Sequence, residues 1–331
     1  MKGNIMKSKR LFLLLLLSLQ ISNMMAAETS FKIVDATVDG KLKETIESNT
    51  IKMIEAFRTA ADAQEKSVKM PKDIITPEAI KGIKQLWKTS AMCCPKINII
   101  GRCMKTSEGY QVRGVPIDLL EADIEEQRQE LTIDFLPSGK ISNVSIALAM
   151  HQYEGLMASK NEPDAEHRKV IIDFVEYFRT AYNRKDLKYL QSVFSDNALI
   201  ITGRILKEVP KSEMSSVKID NKIVYIKQTK QEYMRRLSNV FKRNKYINVK
   251  FEEVEIARHP KFDDVYGVTL KQYWHSDRYS DEGYLFIMID FHDQARPLIQ
   301  VRTWQPYKDD MGNVVTSREQ VFHLGSFNIV R

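Results

Sequence analysis

The chain has 331 residues, of which 43% are hydrophobic and 28% charged, and its formal net charge is +7. The first 27 residues carry four of the basic residues and none of the acidic ones, so the rest has a charge of about +3. So small a charge, from lysines and arginines spread along the sequence, excludes a typical nucleic-acid-binding protein. The roughly 300 residues that follow predict two domains of ordinary size.

Residues 1–27 predict a cleavable signal peptide. Basic residues precede an apolar run over residues 11–19, which only Ser18 interrupts, and Met25-Ala26-Ala27 supplies a small-residue cleavage site. The run is too short for a membrane span, and no longer apolar stretch follows it. We therefore expect a periplasmic or secreted protein with no integral membrane segment after cleavage.

The first half of the remaining chain, residues 28–160, predicts helices followed by strands. One helix is predicted over residues 46–63, and Thr76 followed by Pro77 predicts the start of another. Four strands are predicted after them, over residues 97–101, 110–115, 131–135 and 141–148. The last two form a predicted hairpin, because their apolar residues alternate on both sides of a Pro-Ser-Gly-Lys turn.

Three cysteines, Cys93, Cys94 and Cys103, lie close together in the first half. In an exported protein Cys103 could pair with Cys93 or with Cys94, which leaves one thiol over. The alternative, which we favour, is that all three are small buried residues. A metal site is not expected here, because no histidine follows at ligand spacing.

Residues 161–167 predict a linker, and the second half, residues 168–331, opens with two helices that lead into a strand. The first helix has seven apolar residues at helical spacing: Val170, Ile171, Phe174, Val175, Phe178, Ala181 and Tyr182. Asp186 is suited to cap the second helix. Residues 198–201 then predict a buried strand.

The second half repeats three short sequences of the first half in the same order. The pairs are Phe57-Arg58-Thr59-Ala60 with Phe178-Arg179-Thr180-Ala181, Ile99-Ile100-Gly101-Arg102 with Ile200-Ile201-Thr202-Gly203-Arg204, and Ile133-Asp134-Phe135 with Ile289-Asp290-Phe291. Three such pairs in similar predicted settings favour a tandem duplication.

The rest of the second half predicts a third helix and long strands. Thr229 and Glu232 form a capping-box pattern at the start of the helix. The alternation of apolar residues over residues 247–256 changes phase at Glu252-Glu253, which predicts a β-bulge and a bent strand. Three more strands are predicted, over residues 266–275, 284–291 and 297–304.

This order of elements resembles the NTF2-like (SnoaL-like, cystatin-like) cone fold. The phrases FRTAYNRKDLKYLQSVFSDNALIITG at 178–203, GYLFIMIDF at 283–291 and IQVRTWQP at 299–306 are similar to those of exported tandem NTF2-like proteins of Bacteroidetes. The resemblance implies an α+β protein of two tandem NTF2-like cones, each a bent antiparallel sheet wrapped around N-terminal helices. The cone over residues 28–160 matches more loosely than the cone over residues 168–331.

The resemblance also implies a pocket between the helices and the concave face of each sheet. Six residues of the second cone are candidates for its lining: Tyr177, Tyr182, Gln272, Trp274, Arg302 and Trp304. An aromatic box with one amide and one arginine suits a small amphipathic or anionic ligand. The alternative is a packed aromatic core with a satisfied arginine.

A role without catalysis is favoured over the main alternative, a SnoaL- or ketosteroid-isomerase-like enzyme. Isomerases of this family use an Asp and a Tyr in the pocket, for which Asp290 and Tyr182 are the nearest candidates. However, Asp134 occupies the same place as Asp290 in the other copy, within a hairpin of ordinary appearance. Both aspartates are therefore expected to face solvent, and no catalytic residue is assigned.

The sequence thus predicts an exported binding or assembly module of the cell envelope. Its expected partners are a small-molecule ligand or an envelope protein, without nucleic acid and without a cofactor. No metal site is predicted, because His275 and His292 lie at strand ends without a spaced third ligand. The two domains are expected to pair within the chain, which would explain why residues 284–291 are apolar on both faces.

Overall fold

The computed structural model describes residues 29–36, 38, 40–95, 98–121, 127–159, 163–205, 223–293 and 296–327. The predicted signal peptide, residues 1–27, lies outside them. The described chain forms two α+β units, each with its own six-stranded sheet and its own helices. Among the described residues no helix is both long and apolar enough to cross a bilayer.

The described part of the first unit consists of two helices and six strands. They are β1 (Ser30–Ala36), α1 (Gly40–Asp62), α2 (Pro77–Thr89), β2 (Met92–Cys93), β3 (Asn98–Lys105), β4 (Tyr110–Leu119), β5 (Arg128–Phe135) and β6 (Ile141–Ile146). The sheet order is β1-β3-β4-β5-β6, with β2 paired to β4. Strands β3 to β6 form an antiparallel meander, whereas β1 runs parallel to β3.

In the described residues, the second unit has four α-helices and six strands, followed by two short 3-10 helices. The α-helices and strands are α3 (Met150–Ala158), α4 (Ala165–Asn183), α5 (Leu187–Val193), β7 (Phe194–Ile205), β8 (Ile223–Gln228), α6 (Lys230–Arg243), β9 (Ile247–Arg258), β10 (Val265–Ser276), β11 (Ser280–Asp290) and β12 (Leu298–Pro306). The sheet order is β8-β7-β12-β11-β10-β9. Only β7 and β12 pair in parallel, and the sheet bends around α4, α5 and α6, which confirms the cone.

Local signals in the sequence placed several elements correctly. The Thr76 side chain accepts a hydrogen bond from the Ala79 amide at the start of α2, and Asp186 does the same for Tyr189 at the start of α5. At α6 both hydrogen bonds of the predicted capping box are present. Because each cap satisfies amides that the first helical turn leaves unpaired, these residues fix where the helices begin.

The predicted bulge in β9 is also present. Thr269 of β10 pairs with Glu255, while Lys271, two residues on, pairs with Glu252, so β9 carries one extra residue here. Glu253 adopts a φ of +49° within this stretch. The bulge bends the strand so that the sheet can close around the helices.

The two units have separate hydrophobic cores. The first draws its buried residues from positions 31–146 and the second from positions 148–299. A third, smaller cluster lies on the outer face of the second sheet, where Phe286 and Met288 of β11 are covered by Phe322, Leu324 and Phe327. The outer face of β11 is therefore buried by the C-terminal segment and not, as predicted, by the first unit.

Two of the three repeated sequences fall on corresponding elements. Residues 57–60 and 178–181 lie in the long helices α1 and α4, and residues 133–135 and 289–291 lie on the third strand of each four-stranded meander. The middle pair does not correspond, because Ile99 lies on β3, the first strand of a meander, whereas Ile200 lies on β7. Between α2 and its meander, the described part of the first unit has only β2, where the second unit has β7, β8 and α6.

None of the three cysteines forms a disulfide bond. Cys94 and Cys103 are buried, as the favoured alternative predicted, whereas Cys93 is only half-buried. Burial raises the pKa of the Cys103 thiol to about 11, which keeps the thiol protonated and unreactive at neutral pH.

Candidate functional site

Helix α4 organises the candidate sites, because it contacts both units. One face places Phe178 and Tyr182 in the second core. The opposite face hydrogen-bonds to the first sheet: the Glu176 carboxylate accepts from Arg113 of β4, with an Nη1–Oε2 distance of 2.9 Å, and the Thr180 hydroxyl accepts from the Ile146 amide at 2.9 Å. The two cones therefore share one helix, and each side of it faces a different environment.

Three of the six predicted pocket residues meet at an aromatic cluster inside the second cone. The ring of Tyr182 packs edge-on against that of Trp274, with centroids 6.2 Å apart. Its hydroxyl lies 2.6 Å from the hydroxyl of Tyr233 on α6. The guanidinium of Arg302, on β12, stands 5.0 Å from the centroid of the Tyr233 ring. Sequence reasoning found Tyr182, Trp274 and Arg302 but missed Tyr233.

Arg302 lies on the concave face in a row that crosses three strands. It pairs with Ile200 of β7, which in turn pairs with Gln228 of β8. Trp304 lies two residues further along the same face of β12. Gln272 is buried on β10 directly opposite Gly283. The concave face therefore presents the predicted Gln272, Trp274, Arg302 and Trp304 toward the helices.

Three buried polar atoms on this part of the concave face have no hydrogen-bond partner among the described residues: Arg302 Nε, Trp304 Nε1 and Gln228 Oε1. Arg302 is 6% exposed and Gln228 is 7% exposed. Buried polar groups are nearly always paired, and each unpaired one costs stability. Two N–H donors and one acceptor thus lie close to the aromatic cluster without a hydrogen-bond partner in the described part of the chain.

Burial raises the pKa of two acidic groups in this region, Asp281 and Tyr182. Asp281 lies on β11 directly opposite Trp274. Burial raises the pKa of its carboxyl to about 6, although the hydrogen bond from Tyr279 and the positive charge of Arg302 both lower it. Burial and the neighbouring Tyr233 raise the pKa of Tyr182 well above its ordinary value. The phenol of Tyr182 therefore stays neutral and able to donate a hydrogen bond.

Tyr177 lies outside the second cone, so its predicted place in that pocket is wrong. Its hydroxyl donates to Asp134 Oδ2 of β5 at 2.7 Å. The prediction that Asp134 faces solvent is wrong for the same reason, because β5 turns this side chain toward α4. Asp290 is half-buried at the end of β11 and accepts from the His292 amide at 2.9 Å, so it does not approach Tyr182 as an isomerase pair would require.

The two units enclose a cleft of about 640 Å³, which we call the inter-unit cleft. Its floor is the outer face of α4, one wall is formed by β4, β5 and β6, and the other by α5 and the β11–β12 turn. Among its lining residues are Glu108, Tyr110, Gln111, Asp134, Ser142, Asn143, Val170, Asp173, Tyr177, Arg184, Tyr189 and Arg296. Val170, predicted in the buried stripe of α4, is exposed to this cleft.

The described residues contain no cluster of three or more His, Cys, Asp or Glu side chains that could hold a metal ion. His275 Nδ1 lies 3.1 Å from the Ser280 hydroxyl, and His292 Nδ1 lies 3.3 Å from Asp264. Both histidines therefore contact polar side chains in turns at the ends of strands.

No protein-family model matches the sequence, and no curated protein matches it. Among solved structures, an NTF2-like protein from Cytophaga hutchinsonii is 14% identical, in a match that covers 42% of this chain and 97% of that one, with a TM-score of 0.29. A Streptomyces avermitilis protein described as a dehydratase of the NTF2-like family is 13% identical, covering 39% of this chain and 87% of that one, with a TM-score of 0.28. Identities and scores this low say nothing about ligand or reaction. The strand order of the second unit and the helices that its sheet encloses are those of the predicted α+β cone.

Proposed function

We propose that this chain is an exported, non-catalytic binding protein of the cell envelope that holds a small amphipathic ligand with an oxyanion head in its second cone. The observation that carries the proposal is a pair of buried donors on the concave face, Arg302 Nε and Trp304 Nε1, which have no hydrogen-bond partner in the part of the chain that the structure describes. The tandem arrangement agrees with the exported Bacteroidetes type that the sequence resembles.

The chemistry of Arg302 favours an anionic head. A buried guanidinium needs a counter-charge and hydrogen-bond acceptors to offset its desolvation. No carboxylate forms an ion pair with Arg302 in the described part of the chain. Its guanidinium donates a hydrogen bond to the Tyr182 hydroxyl, while its Nε–H has no partner among the described residues. A ligand carboxylate would accept from the Arg302 Nε–H, and arginine recognises this group with fixed geometry.

The surroundings of Arg302 favour an apolar body on the same ligand. Trp274, Trp304 and Tyr182 present rings beside the donors, and Leu285 of β11 lies directly opposite Trp304. Small-molecule sites commonly combine such apolar walls with a few convergent polar groups. The ligand class is therefore an acid with a hydrocarbon or aromatic tail.

Binding tests use octanoate as the probe and octanamide as its neutral control, with titration followed by calorimetry and by tryptophan fluorescence. We expect octanoate to bind and octanamide to bind at least about tenfold more weakly, since a charged hydrogen bond is lost. Arg302→Gln should remove this preference, and Trp304→Phe, which keeps the ring but lacks the N–H, should weaken it. Arg296→Gln, an exposed arginine on the β11–β12 turn, is the matched control and should leave it unchanged.

Failure of octanoate and of longer-chain acids to bind, with wild-type folding verified, would refute the proposed ligand class. Equal affinity of wild-type protein and Arg302→Gln would also refute it. The export part of the proposal is tested separately by N-terminal sequencing of the protein recovered from cells. Cleavage after Ala27 is expected, and an intact N-terminus in the recovered protein would contradict export.

Asp281 favours a second candidate function, acid–base catalysis. A half-buried carboxyl with its pKa raised to about 6 is suited to accept a proton near neutral pH, and it lies opposite Trp274 at the edge of the same cluster. Incubation with β,γ-unsaturated ketones would detect isomerase activity by absorbance. Activity that Asp281→Asn abolishes would establish this function, and no activity with any such ketone would remove it.

A further inference from the structure

The inter-unit cleft takes no part in the proposed function, and its lining differs in character from the second cone. Its volume of about 640 Å³ falls within the range of roughly 300–1,000 Å³ that is usual for small-molecule sites. The junction of two structural units is also a common place for such sites. The nature of its lining decides which ligand it suits.

The polar groups of the cleft are held in place by one another. The Asp134 carboxylate accepts from Tyr177 at 2.7 Å, from Asn143 at 3.1 Å and from Gln111 at 3.0 Å. The same Gln111 amide lies 3.2 Å from Asp173. These side chains come from three strands of the first unit and from α4 of the second, so both units contribute to one preorganised set of groups.

The charge of the lining argues against an anionic ligand. Among the described lining residues, four supply carboxylates, Glu108, Asp134, Asp173 and Asp186, and two supply guanidinium groups, Arg184 and Arg296. The carboxylates do not favour a free cation as the ligand either, because Asp134 and Asp173 already accept hydrogen bonds from protein donors. One of these donors is Lys169 Nζ, which lies 2.6 Å from the Asp173 carboxylate. The described lining is therefore best matched by a neutral ligand.

The polar groups of the cleft can nevertheless form further hydrogen bonds with a ligand. A carboxylate can accept about four hydrogen bonds, while Asp134 accepts three and Asp173 two in the contacts above. The rings of Tyr110 and Tyr189 also line the cleft. Burial raises the pKa of Tyr189, so that phenol stays neutral and can both donate and accept.

From this juxtaposition we infer that the inter-unit cleft binds a neutral polyhydroxylated ligand of the saccharide class. Sugar hydroxyls can donate to the remaining carboxylate sites and accept from phenol and amide groups. The apolar face of a pyranose ring can pack against a tyrosine ring. Because both walls of the cleft contribute, the ligand would bridge the two units.

Saturation-transfer NMR and calorimetry test the inference on the purified protein, with a panel of neutral saccharides that includes maltose, cellobiose and N-acetylglucosamine. At least one member should bind. Asp134→Asn should weaken that binding by about tenfold or more, because a charged acceptor and its network are lost. Ser142→Trp, which fills the cleft from β6 without removing a buried side-chain contact, should abolish it.

Two control variants separate this site from others. Asp118→Asn, at the far end of β4, should leave saccharide binding unchanged, and so should Arg302→Gln in the second cone. Absence of binding by every saccharide, or equal binding by Ser142→Trp, would overturn the inference. Binding of an organic cation such as spermidine in place of the saccharides would overturn the ligand class. Neither result bears on octanoate binding, so the two sites are tested independently.

Discussion

Arg113 of β4 and Glu176 of α4 form a buried ion pair that joins the two units. Each side chain is 1% exposed, and the Nη1–Oε2 distance is 2.9 Å. The Glu176 carboxylate also accepts from the Leu148 amide at 2.7 Å, and the Arg113 guanidinium lies 3.8 Å from the centroid of the Tyr153 ring. These contacts fix the position of α4 against the first sheet.

Breaking this pair on one side should strongly destabilise the protein. Glu176→Gln leaves the Arg113 charge buried without its partner, and we expect the free energy of unfolding to fall by about 3–5 kcal/mol. The double variant Arg113→Met with Glu176→Leu should recover part of the loss. Chemical denaturation measures both. The exposed pair Arg102–Glu154 is the control, because Glu154→Gln should cost no more than about 1 kcal/mol.

Asp281 predicts a pH dependence of stability. Burial raises its pKa from 3.8 to about 6, so between these pH values the folded protein binds more protons at this site than the unfolded chain. The free energy of unfolding therefore falls as the pH rises through this window. Asp281→Asn should remove a contribution on the order of 2 kcal/mol to that fall. Urea denaturation at both ends of the window tests this, with the exposed Asp73→Asn as control. Identical pH profiles for wild type and Asp281→Asn would contradict it.

Gly283 makes room for the Trp304 indole. A Cβ at this position would lie 2.8 Å from Trp304 Cε2 and 2.3 Å from the Gln305 carbonyl oxygen. Gly283→Ala should therefore lower stability by about 1–3 kcal/mol and change the tryptophan fluorescence spectrum. Gly155→Ala is the control, because a Cβ there meets nothing within 4 Å and alanine favours the helix by up to about 1 kcal/mol. An unchanged spectrum and stability in Gly283→Ala would refute the close approach.

The C-terminal segment shields the outer face of the second sheet. The Phe286 and Phe327 rings stack with centroids 5.7 Å apart and an interplanar angle of 4°, and Phe322 packs beside Phe327. Replacing Phe322 and Phe327 together by Ala should expose β11 and increase binding of the apolar dye ANS. Met311→Ala, at a side chain that is already exposed, is the control. Equal dye binding by the wild type, the double variant and Met311→Ala would contradict this shielding role of the C-terminal segment.

Local signals in the sequence predicted much of the fold. The caps at Thr76, Asp186 and Thr229 and the phase change at Glu252 each depend on residues within a few positions of one another, and each appears in the structure. Strand β1 was missed because the apolar Val34, which is exposed beside the buried Ile33, breaks the apolar alternation. Helix α3 was missed because its apolar residues form no clear stripe.

The contacts across the units could not be predicted, because they depend on how distant elements pack. Glu176 and Arg179 sit within the predicted amphipathic helix, but nothing nearby indicates that their face is buried against another sheet. Arg179 reaches the Val249 and Ala147 carbonyl oxygens at 2.6 and 2.9 Å. The wrong prediction for Tyr177 has the same cause, because its position on the helix is compatible with a place in either unit. The sequence did contain one usable signal: charged residues interrupt an otherwise apolar helix, and charged side chains that are buried there need partners.

Native mass spectrometry of protein taken from its producing cells shows directly whether the second cone holds an acidic amphipathic ligand on Arg302 and Trp304. We expect an additional mass that disappears on denaturation, matches a small organic acid, and is absent from Arg302→Gln but retained by Arg296→Gln. A wild-type protein that is recovered empty and that also stays empty after incubation with octanoate and longer-chain acids would contradict it.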